Sequence, residues 1–135
     1  MASILLVDDH PDVREVVGQM LELHGHTVAL AESGELAWEQ MQVTPPDALV
    51  VDQRLPGMTG IELLQRMLKS PILSKVARIL CSGDDRERDA AERAGADFWL
   101  KGSDRMFDEV AKLGEKLKDS GFRVQGSSQT LASEP

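Results

Sequence analysis

The chain has 135 residues, 41% of them hydrophobic and 28% charged, with a formal net charge of −8. That length holds one domain with a buried core and little more, and the acidic balance argues against sequence-independent nucleic-acid binding, which needs a basic face. The single cysteine excludes an internal disulfide and fits a reducing compartment, the cytoplasm, and no apolar run nears the roughly 20 residues of a membrane helix.

The start, MASILLVDDHP, lacks the basic and long apolar segments of a secretory signal. Ser3 to Val7 (SILLV) is a continuous apolar run stopped by two acids, and a run this short reads as a buried strand. Pro11 to His24 carries Val13, Val16, Val17, Met20, Leu21 and Leu23 at helical spacing, with Pro11 suited to the first position and Gly25 to the stop. Thr27 to Ala31 is the second strand. Ser33 caps a second helix carrying Leu36, Ala37, Gln40 and Met41, which Pro45 and Pro46 break. Ala48 to Val51 is the third strand, ending at Asp52. Gly60 to Lys69 is the third helix, apolar at Ile61, Leu63, Leu64, Met67 and Leu68 and ended by Pro71. Ala77 to Cys81 is the fourth strand, running into Ser82 and Gly83. Asp84 or Asp85 caps a short, highly charged helix that reaches Ala94, and Gly95 closes it. Asp97 to Leu100 is the fifth strand, ending at Lys101. Met106 to Lys118 is the last helix, with Phe107, Val110, Leu113 and Leu117 on one stripe.

Strands alternating with helices predict an α/β fold, a (βα)5 parallel sheet covered on both faces and doubly wound through right-handed crossovers. The folded domain is expected over residues 1–119. Residues 120–135 (SGFRVQGSSQTLASEP) have no apolar period and are expected to form a disordered tail or the remnant of a linker.

Ligands of such sheets sit outside the carboxyl ends of the strands, where the strand order reverses. Strand one delivers Asp8 and Asp9 there, strand three Asp52, strand four Ser82 and strand five Lys101. Strand two delivers Glu32 and Ser33, which lie off the crevice if that strand is an edge. Three packed carboxylates repel unless positive charge intervenes. Lys101 supplies one charge and a divalent cation would supply more. Oxygen ligands favour Mg2+, or Mn2+, held by carboxylates together with phosphate oxygens. Such a site suits a phosphoryl group, and a carboxylate can be its nucleophile.

The set Asp8-Asp9, DQRLPGMTG from Asp52, Ser82-Gly83 and Lys101 resembles the receiver domain of two-component response regulators over about residues 3 to 118. VDDHPDVRE resembles the start of many such proteins. The resemblance implies a flavodoxin-like sheet with strand order 2-1-3-4-5. It implies that Asp52 is the phosphoacceptor, that Asp8, Asp9 and Asp52 hold Mg2+ with the backbone carbonyl of Arg54, and that Ser82 and Lys101 contact the phosphoryl group. The donor would be a histidine kinase or a histidine phosphotransfer protein. Ser82 would be drawn inward on switching, together with Phe98, three residues before the lysine. The implied output is a partner surface on the fourth helix, fifth strand and fifth helix, read by a downstream protein or an output domain since removed. The implied role is a cytoplasmic signalling domain that promotes its own phosphorylation and dephosphorylation, without membrane or direct nucleic-acid contact. The resemblance also implies that Arg54 and Asp84 border the site and tune how long the phosphoryl group lasts, with a plain surface role as the alternative.

The chain departs from the pattern in two places. Gly102 follows the lysine where proline is usual, and the segment from Gly95 to Lys101 is one residue short.

Singly, each residue has a bland use. Asp8-Asp9 can stop a strand and cap a helix, Asp52 can start a turn, Ser82 can be loop chemistry and Lys101 can be solvated. The ordered set weighs against those uses. His10 sits beside the acids, where metal ligation weighs against the favoured reading of a partly exposed residue near the helix start; His24 and His26 are expected at the surface, Cys81 buried and inert, and DDRERDAAER as a solvated helix face bordering the partner surface. An aspartyl-nucleophile phosphatase needs a second Asp two residues after the nucleophile, where Arg54 stands. A nucleotide-binding fold needs a glycine-rich phosphate loop after strand one, and none follows. A phosphorylation-independent pseudo-receiver, failing through the Lys101-Gly102 turn, is the remaining alternative.

Overall fold

Strand β1 (Ser3–Val7) leads into helix α1 (Pro11–Leu23), and the alternation continues through β2 (Thr27–Ala31), α2 (Gly34–Val43), β3 (Ala48–Asp52), α3 (Gly60–Leu68), β4 (Ala77–Ser82), α4 (Arg88–Arg93), β5 (Asp97–Leu100) and α5 (Asp104–Asp119). These elements come from a computed structural model that describes residues 2–119, so the expected tail at 120–135 lies outside the described residues. All neighbouring strands are parallel, in the order β2-β1-β3-β4-β5. This is the flavodoxin-like order that the resemblance implies. No helix among the described residues is long and apolar enough to cross a membrane.

Alternation along each strand divides the core between the two faces. Leu5, Val7, Leu49, Val51, Leu80 and Phe98 pack with Leu63, Leu64 and Met67 of α3 and Ala91 of α4. Ile4, Leu6, Val50, Ile79 and Trp99 pack with Leu21 of α1 and with Met106, Val110, Leu113 and Leu117 of α5. Covered on both faces, β3 is buried at every position, and so Ala48 to Val51 are apolar without a break before Asp52. At the edge, β2 is exposed at Thr27, Ala29 and Leu30.

Several local expectations change. The stripe of α5 runs through Met106 rather than Phe107, which is 59% exposed. The helix after β4 does not run unbroken from its acidic cap. A 3-10 turn, Asp85–Glu87, comes first. Asp84 accepts both the Arg86 N–H and the Arg86 guanidinium, and these local bonds compete with α-helical geometry. His26 is buried, not at the surface: its Nδ1 accepts the Ala2 N–H at 3.3 Å, and burial lowers its pKa.

The start of α3 is tied tightly to the end of β3. Thr59 and Glu62 form a reciprocal capping box, the Gly60 N–H donates to the Gln53 carbonyl and the Ile61 N–H to Gln53 Oε1. A Cβ on Gly60 would stand 2.5 Å from the Asp52 carbonyl oxygen and 2.8 Å from Leu80 Cδ1. The backbone oxygen cannot yield without moving the residue that ends β3. Gly18, inside α1, would meet only ordinary contacts, at 3.9 Å from Leu6 Cδ2. Gly60→Ala is therefore expected to lose about 1–3 kcal/mol through overpacking. Gly18→Ala is expected to gain about 0.5–1 kcal/mol through helix propensity. Urea midpoints of the two variants check both signs.

Candidate functional site

β1 and β3 are neighbours in register, Val7 beside Val51, so the residues that follow, Asp8 and Asp52, emerge side by side. This is where the strand order reverses: the chain leaves β1 toward one edge and builds β4 and β5 on the other side of β3. Both carboxyls are buried, at 2% and 5% residue exposure. Lys101 reaches over from the end of β5, and its Nζ lies 3.1 Å from Asp8 Oδ2 and 3.1 Å from Asp52 Oδ1. The lysine is placed by its backbone, whose N–H donates to the Ser82 carbonyl at 2.8 Å. The following residue, Gly102, has φ +82°, a left-handed conformation closed to proline. The turn after β5 thus takes a path that the more usual proline could not, and the ammonium still reaches both acids.

The other Asp8 oxygen is held from its own loop. Asp8 Oδ1 accepts the His10 N–H at 2.9 Å, and Arg14 Nη1 donates to the Asp8 carbonyl at 3.2 Å. His10 Nδ1 stands 3.1 Å from Asp8 Oδ1 and 3.0 Å from Asp9 Oδ1. Glu32, beyond the edge strand, lies off the crevice, 3.7 Å from Arg14 Nη1.

Burial pushes the Asp52 carboxyl above its ordinary pKa; the Lys101 hydrogen bond and charge oppose this, and the Asp8 charge adds to it. Burial works against the Lys101 ammonium too, but its hydrogen bonds and charge attraction to Asp8 and Asp52 outweigh that, and its pKa is raised. Burial also pushes the Cys81 thiol up to about 12, so Cys81 is an inert core residue one position before Ser82.

Donor atoms of Asp8, Asp9, His10 and Asp52 all lie within 4.8 Å of one another. Hard carboxylate oxygens dominate the set, which fits Mg2+ or Mn2+. The exposed Arg54 borders the same crevice with Asp9, Gln53 and Glu87.

Ser82 sits at the carboxyl end of β4 and is buried. Its hydroxyl donates to Glu87 Oε1, and its oxygen accepts the Asp84 N–H at 3.1 Å. Phe98 lies on the α4 face of β5 and Trp99 on the α5 face. The Arg88 guanidinium covers the Phe98 ring at 4.7 Å. Asp84 is engaged by Arg86 at 2.9 Å.

Sequence reasoning weighed one participant and missed another. His10, expected as a partly exposed residue beside the acids with metal ligation as the lesser use, is exposed and turns its ring nitrogen to both acids. Glu87 was read as part of a solvated helix face. For His10 the signal was its place directly after two strand-end acids. For Glu87 there was none, since the 3-10 turn that swings it back is set by Asp84 and Arg86.

A family model for the response regulator receiver domain matches residues 4–103. The response regulator MprA of Mycobacterium ulcerans is 40% identical over 96% of this chain and 56% of its own length. This chain thus spans about half of that curated relative. A putative response regulator from Chloroflexus aurantiacus superposes with a TM-score of 0.79 at 30% identity, covering 86% of this chain and 96% of that one. The response regulator TrrA of Thermotoga maritima, solved in complex with Mg2+ and beryllium fluoride, superposes with a TM-score of 0.76 at 29% identity, covering 87% and 99%. With the sheet order, the strand-end acids and the family match agreeing, the chain belongs to the response regulator receiver domains.

Proposed function

We propose that this receiver domain is a phosphorylation switch in which Asp52 accepts a phosphoryl group from the phosphohistidine of a histidine kinase or phosphotransfer protein. The observation that carries the reading is Lys101 Nζ at 3.1 Å from both Asp8 and Asp52, a cation already set where a phosphoryl oxygen would arrive. In transfer, an Asp52 oxygen attacks phosphorus. An O–P bond forms, the donor's N–P bond breaks, and the donor imidazole keeps the electron pair.

Receiver domains bind Mg2+ at an acidic pocket. Here Asp8, Asp9, Asp52 and the Arg54 carbonyl would hold Mg2+ or Mn2+, which when bound neutralises the oxygens in transfer. Lys101 shifts from the carboxylates to a phosphoryl oxygen, and Ser82 offers its hydroxyl to another. Phe98, already packed in the core under Arg88, repacks as Ser82 moves, altering the surface of α4, β5 and α5 that a downstream protein or an output domain reads. Hydrolysis returns Asp52 and inorganic phosphate, so the chain promotes both its own loading and unloading. The complex of the related TrrA protein, in which beryllium fluoride stands in for a phosphoryl group, supports the same chemistry here. A cytoplasmic setting without membrane or direct nucleic-acid contact fits the acidic charge and lone buried cysteine.

The left-handed Gly102 turn favours one second reading, a pseudo-receiver that binds partners without phosphorylation. Against it stands the undiminished reach of Lys101. Intact mass after incubation with Mg2+ and acetyl phosphate decides between them. The parent is expected to gain one hydroxylamine-labile phosphoryl group and Asp52→Asn none. A parent that binds Mg2+ and gains nothing supports the pseudo-receiver.

The electrostatics carry a second expectation. In the folded chain Asp52 holds its proton to a higher pH than in the unfolded chain, where such a carboxyl titrates near about 3.9. Its contribution to stability is therefore present in acid, below the unfolded pKa, and is lost as pH rises through the folded pKa. Asp52→Asn is expected to raise the urea midpoint at neutral pH without divalent cations, with the gain shrinking toward pH 4. An equal or lower midpoint at neutral pH contradicts this.

A further inference from the structure

Glu87 is placed where the chemistry above gives it no part. It occupies the residue before α4, where a side chain could cap the helix, and it makes no capping bond. Its Oε1 instead accepts the Ser82 hydroxyl. A serine hydroxyl has one proton to donate. While Ser82 donates to Glu87, it cannot donate to a phosphoryl oxygen on Asp52. Glu87 also lines the crevice that holds Asp9, Gln53 and Arg54, so its carboxylate stands beside the site as well as on Ser82. The next residue, Arg88, covers the Phe98 ring. Two consecutive residues thus engage the two side chains assigned to switching.

We propose that Glu87 is a latch: it holds the Ser82 hydroxyl in the resting chain and competes with the phosphoryl group on Asp52 for that one proton. This rests on Asp52 being the phosphoacceptor. When Ser82 turns to the phosphoryl group, the Glu87-Arg88 turn loses its tie to the end of β4, while Arg88 keeps its bonds to Asp85 and can carry that pair away from the Phe98 ring. Glu87 acts through Ser82 and is a positioning residue. It sets how readily the loaded state forms, independently of the Asp84 and Arg54 side chains; Asp84 meets the hydroxyl oxygen only through its backbone N–H and does not take its proton.

The test is the affinity of the full chain for beryllium fluoride in excess Mg2+, followed by fluorine NMR. Glu87→Ala is expected to bind about tenfold tighter than the parent, a ratio equivalent to about 1.4 kcal/mol and in the range of a charge-assisted hydrogen bond. Glu87→Gln keeps a neutral acceptor of roughly half the strength and is expected to gain about threefold. In a Ser82→Ala background, Glu87→Ala is expected to change affinity by less than about twofold, because the shared partner is gone. An equal gain in that background would show plain charge repulsion and overturn the latch, as would no gain from Glu87→Ala in a parent that binds. A parent that binds no beryllium fluoride fails the phosphoacceptor reading itself, and the latch with it.

Discussion

One ammonium between two buried carboxylates is the constraint on which the site depends. Asp8 and Asp52 stand side by side because β1 and β3 pair in register, and burial favours the neutral form of Asp52. Lys101, 3.1 Å from each, offsets part of that cost. Removing Lys101 leaves two buried carboxylates uncompensated, whereas removing one carboxylate leaves the other paired with the ammonium. The arrangement is under electrostatic tension and open to added positive charge, the condition in which a cation and a transferable anion can be taken up together.

The fold supplies this tension without spending loop residues on it. Every acid of the inner set is the residue at or just past a strand end, so the parallel sheet fixes their spacing. The core fixes the sheet. β3 is buried on both faces, and α3 is pressed against its end so closely that Gly60 has no room for a side chain. The turn after β4 is held by exchangeable side-chain ties, Ser82-Glu87, Asp84-Arg86, Asp85-Arg88 and Arg88-Phe98, rather than by the sheet or the core. Rigid acids beside a turn held by such ties suit a module that must keep its chemistry fixed while its surface changes.

Most of the sheet was legible in the sequence because short apolar runs ending in Asp, Ser or Lys leave few alternatives. The inner acids and Lys101 follow from the same runs. What was not legible has local causes. The 3-10 turn before α4 arises from Asp84 bonding Arg86, a choice between two side-chain partners that apolar periodicity does not encode. Glu87 changes from a solvated acid to a partner of Ser82 as a result. His26 is buried because the chain start folds over it, a contact twenty-four residues apart in sequence. Phe107 was given to the α5 stripe and Met106 left out; a shift of one residue turned the helix face.

The central claim is that Asp52, rather than the neighbouring Asp8 or Asp9, carries the phosphoryl group. Borohydride reduces an acyl phosphate to the alcohol, so trapping the phosphorylated chain marks the acceptor as homoserine, and peptide mass sequencing locates it. The account predicts homoserine at position 52 alone. Homoserine at position 8 or 9, with Asp52 intact, would contradict it.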